Sequence, residues 1–101
     1  MMIEHIVVFR FIEGVSQEQQ QELVDKLLDF RGQIPGIVQL SAGVNVTEET
    51  ANHQGFSIGL RVTFENAEAL RSYGPHPLHQ AFVASLGGLL EQVIVVDYPM
   101  T

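Results

Sequence analysis

The sequence predicts an α+β domain, a four-stranded antiparallel sheet with its helices on one face, and three observations predict it. Four segments are rich in β-branched or aromatic residues, and two of them, Ile3 to Phe11 and Phe56 to Phe64, alternate with a period of two. Two stretches between them place apolar residues at helical spacing. The segments follow one another in the order β-α-β-β-α-β, which right-handed crossovers wind into the ferredoxin-like arrangement. With 101 residues the chain, 1–101, is one domain, small enough that further burial through association would help it.

Taken in order, Ile3 to Phe11 places Ile3, His5, Val7, Phe9 and Phe11 on one face and Glu4, Ile6, Val8 and Arg10 on the other, so a strand covered on both faces is expected. Glu13-Gly14 ends it. Ser16 with Gln19 three residues later reads as a capping box. The helix it opens carries Leu23, Leu27, Phe30 and Ile34 on one stripe and runs to the Pro35-Gly36 stop. Ile37 to Val46 reads as a second strand, with a bulge or close approach at its Ser41-Ala42-Gly43 centre. Thr47 to Gln54 is a polar connection, with His53 on the surface. Phe56 to Phe64 is the clearest strand. Asn66 caps a short helix that turns Ala67, Leu70 and Tyr73 inward, Gly74-Pro75 breaks it, and a new helix starts near Pro77 and continues to Gly87-Gly88. Val93 to Tyr98 is the last strand, apolar on both faces until Asp97.

The sheet's second face, with Ile6, Val8, Arg10, Gly59, Arg61 and Thr63, is poorly suited to water. A face-to-face symmetric homodimer would cover it by closing two sheets into one α/β barrel, with Arg10 and Arg61 meeting Glu4 or Asp97 across the interface. The chain has no Cys, which excludes disulfides, thiolate metal sites and a thiol nucleophile. A formal charge of -7 argues against nucleic acid and anionic membrane surfaces as partners. Met1 to His5 lacks a basic leader pattern and the run Ile6 to Phe9 is too short to span a bilayer, so the expected location is cytoplasmic.

The candidate chemistry lies between Tyr73 and Val83. Phe82, Val83, Leu86 and Leu90 follow His79 at helical intervals, which puts His79 on the buried stripe. It reads either as a general acid or base with Tyr73 as its partner or donor, or as a core histidine satisfied by Tyr73 or a backbone carbonyl. His5, among inward aliphatics, is either pocket lining or a buried histidine paired to Tyr73 or His79. His76 stands at the N-cap, a capping or rim position. A metal held by His5, His76 and His79 is conceivable, but no carboxylate stands beside them at helical spacing, and no metal or cofactor is expected.

Ile3 to Phe11, Pro35-Gly36-Ile37, His53-Gln54-Gly55-Phe56, Val62-Thr63-Phe64-Glu65, Tyr73 through His79 and Val95-Val96-Asp97-Tyr98 together resemble the stress-responsive dimeric α/β-barrel (Dabb) family, across nearly the whole chain. The most specific piece is His76-Pro77-Leu78-His79 placed three residues after Tyr73. The resemblance implies a homodimer and a pocket between sheet and helices, with His5, Val7, Phe9, Leu27, Ile58, Leu60 and His76 as ligand-binding positions. In one plant branch of the family, a polyketide cyclase, the histidine matching His79 is the base, with the residues matching Tyr73 and His5 nearby. That branch carries a tyrosine at Leu27 and a histidine at Ile58, so this pocket is more apolar and the cyclase substrate is not carried over. Three functional classes follow. The first is a stress-associated dimer binding a small apolar or aromatic ligand. The second is a cofactor-free cyclase, lyase or isomerase using His79 and Tyr73. The third is a cofactor-independent monooxygenase of the same fold.

Overall fold

The strand on which the sheet assembles is β1 (Ile3–Phe11), which pairs antiparallel with β3 (Phe56–Phe64) on one side and β4 (Leu90–Pro99) on the other. β2 (Ile37–Val44) pairs with β3, giving the order β2-β3-β1-β4. The computed structural model describes residues 1–101. Both central strands run over the residues their alternation predicts, because a period of two with β-branched and aromatic side chains fits only a pleated ribbon.

One sheet face is the floor of the core. Val7, Phe9 and Phe11 of β1, Leu40 of β2 and Ile58, Leu60, Val62 and Phe64 of β3 are all buried there. The lid is α1 (Gln17–Leu28) with Leu23, Val24 and Leu27, joined by Tyr73 at the end of α3 (Ala67–Tyr73) and Phe82 of α4 (Pro77–Ser85). The caps are those the sequence predicts. Ser16 Oγ accepts from Gln19 N at 3.1 Å while Gln19 Oε1 accepts from Ser16 N at 2.9 Å, and Asn66 Oδ1 accepts from Ala69 N at 2.8 Å.

Several boundaries differ from expectation. α1 ends six residues before Ile34: the amides of Phe30, Arg31 and Gln33 bond the carbonyls three residues back, so the chain tightens into successive turns that still bury Phe30 and Ile34. The irregularity in β2 lies between Ile37 and Gln39, while Ser41, Ala42 and Gly43 pair in regular register with Arg61, Leu60 and Gly59. The polar connection holds a single helical turn, α2 (Thr50–His53), and His53 Nδ1 accepts from Gly55 N at 2.9 Å. α4 stops at Ser85, short of the predicted Gly87-Gly88 end, and Leu90 already belongs to β4.

The outer sheet face carries Ile6 and Val8 of β1, with Val96 and Ile94 of β4 directly opposite them. Ile94 is 41% and Val96 53% exposed. Val8 also faces Gly59, which faces Gly43, so this face has a shallow glycine-floored hollow beside Arg61. Arg61 finds Glu4 within the same chain, 3.1 Å away, rather than across an interface, since the two strands place them on adjacent rows. The Thr63 hydroxyl, and beside it the Arg61 guanidinium, hold the Glu4 carboxyl below its ordinary range against the opposing effect of burial. Arg10 instead lies over the Phe56 ring, 5.2 Å from its centroid, and donates to the Gln54 carbonyl. Asp97 is on the other face altogether, because its register partner is His5. No helix is long and apolar enough to cross a membrane.

Candidate functional site

The break between α3 and α4 builds the site. Gly74 keeps right-handed helical angles, φ −52 and ψ −52, immediately before Pro75. A residue with a Cβ resists that combination because the proline ring crowds it, and glycine removes the clash. His76 then leaves the helix and caps α4, its Nδ1 accepting from Leu78 N at 3.1 Å, with Pro77 at the first helical position.

The Gly74 carbonyl is thereby left to side-chain donors. His79 Nδ1 lies 2.9 Å from it and Gln80 Nε2 donates to it at 2.9 Å. A carbonyl only accepts, so the neutral His79 ring carries its proton on Nδ1 and keeps a lone pair on Nε2. Of the two sequence readings, the partner is the backbone carbonyl and not the Tyr73 hydroxyl. Tyr73 is nonetheless adjacent, its ring centroid 4.4 Å from that of His79 and tilted by 50°. Tyr73 is 3% exposed, and burial pushes its phenol up to about 12. It is therefore a neutral hydrogen-bond donor across the physiological range.

His5 reaches the same place from the sheet. Its ring stands edge-on to Tyr73, with centroids 5.7 Å apart, and to Phe64 at 6.0 Å. Its Nδ1 is 2.5 Å from Asp97 Oδ1. Neither Tyr73 nor His79 is its partner. β4 pairs with β1 so that Asp97 lies directly across from His5.

These three polar side chains line one cavity of about 370 Å³ whose remaining walls are almost entirely apolar. Of the residues expected from sequence, His5, Val7, Phe9, Leu27, Leu60, Tyr73 and His79 line it. Ile58 and His76 do not: Ile58, 2% exposed, is taken up by the core, and the His76 ring is engaged in capping. The sequence reading turned Leu70 inward and put Phe82, Val83, Leu86 and Leu90 on the stripe of His79 without assigning them to the pocket, and it missed the walls Val93 and Val95 and the Asp97 partner. Alternation held the signal for part of this, since Val93, Val95 and Asp97 share one face of β4, opposite Phe9, Val7 and His5. Val83, Val93 and Val95 are 46%, 44% and 51% exposed, so the cavity opens to solvent between α4 and β4.

No group of three or more His, Cys, Asp or Glu side chains converges as metal ligands. What the arrangement can do is accept a proton at His79 Nε2 and donate a hydrogen bond from the Tyr73 hydroxyl, in surroundings that strengthen both.

A family model described as the stress responsive A/B barrel domain matches residues 3–100. A stress-response A/B barrel domain-containing protein of Arabidopsis thaliana is 32% identical, over 98% of this chain and 90% of that protein. Olivetolic acid cyclase of Cannabis sativa is 26% identical, over 97% of this chain and 96% of that enzyme. The crystal structure of a dimeric ferredoxin-like protein of unknown function from a Jannaschia species superposes with a TM-score of 0.78 at 25% identity, covering 99% of this chain and all of that one.

Proposed function

This chain belongs to the stress responsive A/B barrel domain family, and from that membership and the cavity we propose that it acts as a homodimer binding a small, largely apolar carbonyl compound beneath α3 and α4. One observation carries the reading: a 370 Å³ cavity in which His5, Tyr73 and His79 are the only polar side chains. Its volume falls within the range of small-molecule sites, and a few convergent polar groups in an apolar chamber are what orient such a ligand. The dimer is supported by the dimeric relative of the same fold and by the apolar outer sheet face. Calorimetric titration with 2-nonanone tests the binding. Saturable heat that vanishes when Val83→Trp fills the cavity mouth supports the reading; no heat, or heat unchanged by that substitution, refutes it.

The His79 tautomer favours a second reading, cofactor-free proton transfer of the cyclase or lyase type. Nε2 would remove a proton from the carbon next to the carbonyl while the Tyr73 hydroxyl bonds the oxygen on which enolate charge develops, and the proton would return from the imidazolium. Olivetolic acid cyclase lends this reading a relative. Exchange of the ketone's α-hydrogens in deuterated water tests it. Exchange that is lost in His79→Ala makes the site catalytic; exchange at the buffer rate leaves it a binding site.

A further inference from the structure

We propose that Glu4, Thr63 and Arg61 form a closed polar centre on the face where a second copy docks, and that the affinity of the dimer depends on the charge of Glu4. This rests on the homodimer reading above and names what governs its assembly.

β1 and β3 are the two central strands of the sheet, so in a face-to-face two-fold pair their outer side chains lie nearest the axis. On that face Glu4 pairs with Thr63, Ile6 with Arg61 and Val8 with Gly59, while Tyr98, Val96 and Ile94 of β4 stand opposite the three β1 residues. The charged pair thus adjoins the apolar rows that a second copy would cover.

The network is closed on itself. Thr63 Oγ1 donates to Glu4 Oε1, while Arg61 Nη1 donates to Glu4 Oε2 at 3.1 Å and to Thr63 Oγ1 at 3.2 Å. Both carboxylate oxygens and the hydroxyl are engaged within one chain, so a second copy need bring them no polar partner. The two charges differ in exposure, and that difference gives assembly its dependence. The Glu4 side chain is 7% exposed and has already lost its water in the single chain, whereas that of Arg61 is 40% exposed. Covering the face takes water chiefly from the guanidinium and leaves the Glu4 carboxylate as its compensating charge in a drier site. A neutral Glu4 strands a cation there.

Acid has the same effect as removing the charge. The Thr63 hydroxyl and then Arg61 hold the Glu4 carboxyl below its ordinary 4.5 against burial, and the drier dimer holds it lower still, so affinity is full above that value and falls beneath it. The other ionisable groups on this side are Tyr98 opposite Glu4, Arg10 at the far end of β1 beside Glu91, and Glu65 and the amino terminus just beyond the strand ends. β2 carries none, and Asp97 belongs to the inner face.

The test is sedimentation equilibrium of the whole chain, with circular dichroism to confirm the fold, for the wild type, Glu4→Gln, and Glu4→Leu combined with Arg61→Leu. At pH 7 Glu4→Gln keeps the shape, removes the charge and dimerises at least about tenfold more weakly than the wild type. The double variant has no charge to strand and recovers wild-type affinity. From pH 6 to pH 4 the wild-type dimer weakens severalfold relative to the double variant, which carries the same net charge at neutral pH and so feels the same general repulsion. A folded Glu4→Gln that dimerises like the wild type overturns this inference and leaves the homodimer standing, as does a double variant no tighter than Glu4→Gln. If Glu4→Gln does not fold, the pH comparison decides, and parallel profiles for wild type and double variant overturn the inference. A wild type that is monomeric at every concentration removes the homodimer and this inference together.

Discussion

His79 Nδ1 and the Gly74 carbonyl are held 2.9 Å apart across the break between α3 and α4, and this one bond decides which nitrogen of the imidazole faces the cavity. It depends on Gly74 keeping helical angles ahead of Pro75. Gly74→Ala is therefore expected to destabilise the fold by roughly 1–3 kcal/mol, the range for a residue held in a sparsely populated backbone region. Beyond its two chain neighbours, no atom obstructs the new methyl group. Because the clash is with the proline ring, Gly74→Ala combined with Pro75→Ala should recover most of the loss. Thermal denaturation of the single and double variants checks this, and a double variant no better than the single contradicts it.

Gly36 sits at φ +89 after Pro35, and a Cβ there would come within 2.5 Å of the Ala69 Cβ. The close approach lets the Gly36 carbonyl accept from Glu65 N at 2.9 Å, tying the start of β2 to the entry of α3. Gly36→Ala should cost more than about 1 kcal/mol, since the backbone angle and the collision act together. Adding Ala69→Gly should return only the steric part. Urea denaturation of the three variants separates the two contributions.

Tyr73 gives the alkaline limb of the stability profile. Its phenol is pushed up from the ordinary 10 to about 12 in the folded chain, so above pH 10 the unfolded chain releases a proton that the folded one keeps. The stabilisation is full below the unfolded value and is lost as pH rises toward the folded one, by roughly 2–3 kcal/mol in all. Tyr73→Phe should flatten that limb and leave the profile at neutral pH nearly parallel. Unfolding free energy measured from pH 8 to pH 12 in both proteins checks it.

On the outer sheet face, Val96 is opposite Ile6 and 53% exposed. If a second copy covers this face, Val96→Glu places a charge in a desolvated interface and should turn a dimer into a monomer at micromolar concentration, with the cavity intact. Sedimentation of both proteins decides it; a wild type already monomeric would remove the barrel.

Much of this fold was legible because period and chain order carry it: β1, β3, both helix caps and the Pro77 restart follow from local pattern. What could not be read was set by tertiary contact. Phe30 and Ile34 keep the helical stripe's burial although α1 has ended, so an apolar stripe overstates helix length when tight turns present the same face. The site was legible in its residue types, Tyr73 and His79 above all, but not in its bonds. That Asp97 would meet His5 required the register of β4 on β1, which no local signal fixes. The same register, not β4's composition, puts Val93 and Val95 in the cavity wall.

Side-chain NMR of His79 during titration with 2-nonanone tests the cavity's role most directly. The ring should be protonated on Nδ1, and its Nε2 signal should move saturably with ligand, together with the Tyr73 ring and the methyl groups of Val83 and Val95. A His79 ring protonated on Nε2, or cavity signals that ignore the ketone at every concentration, would contradict a ligand site built around this imidazole.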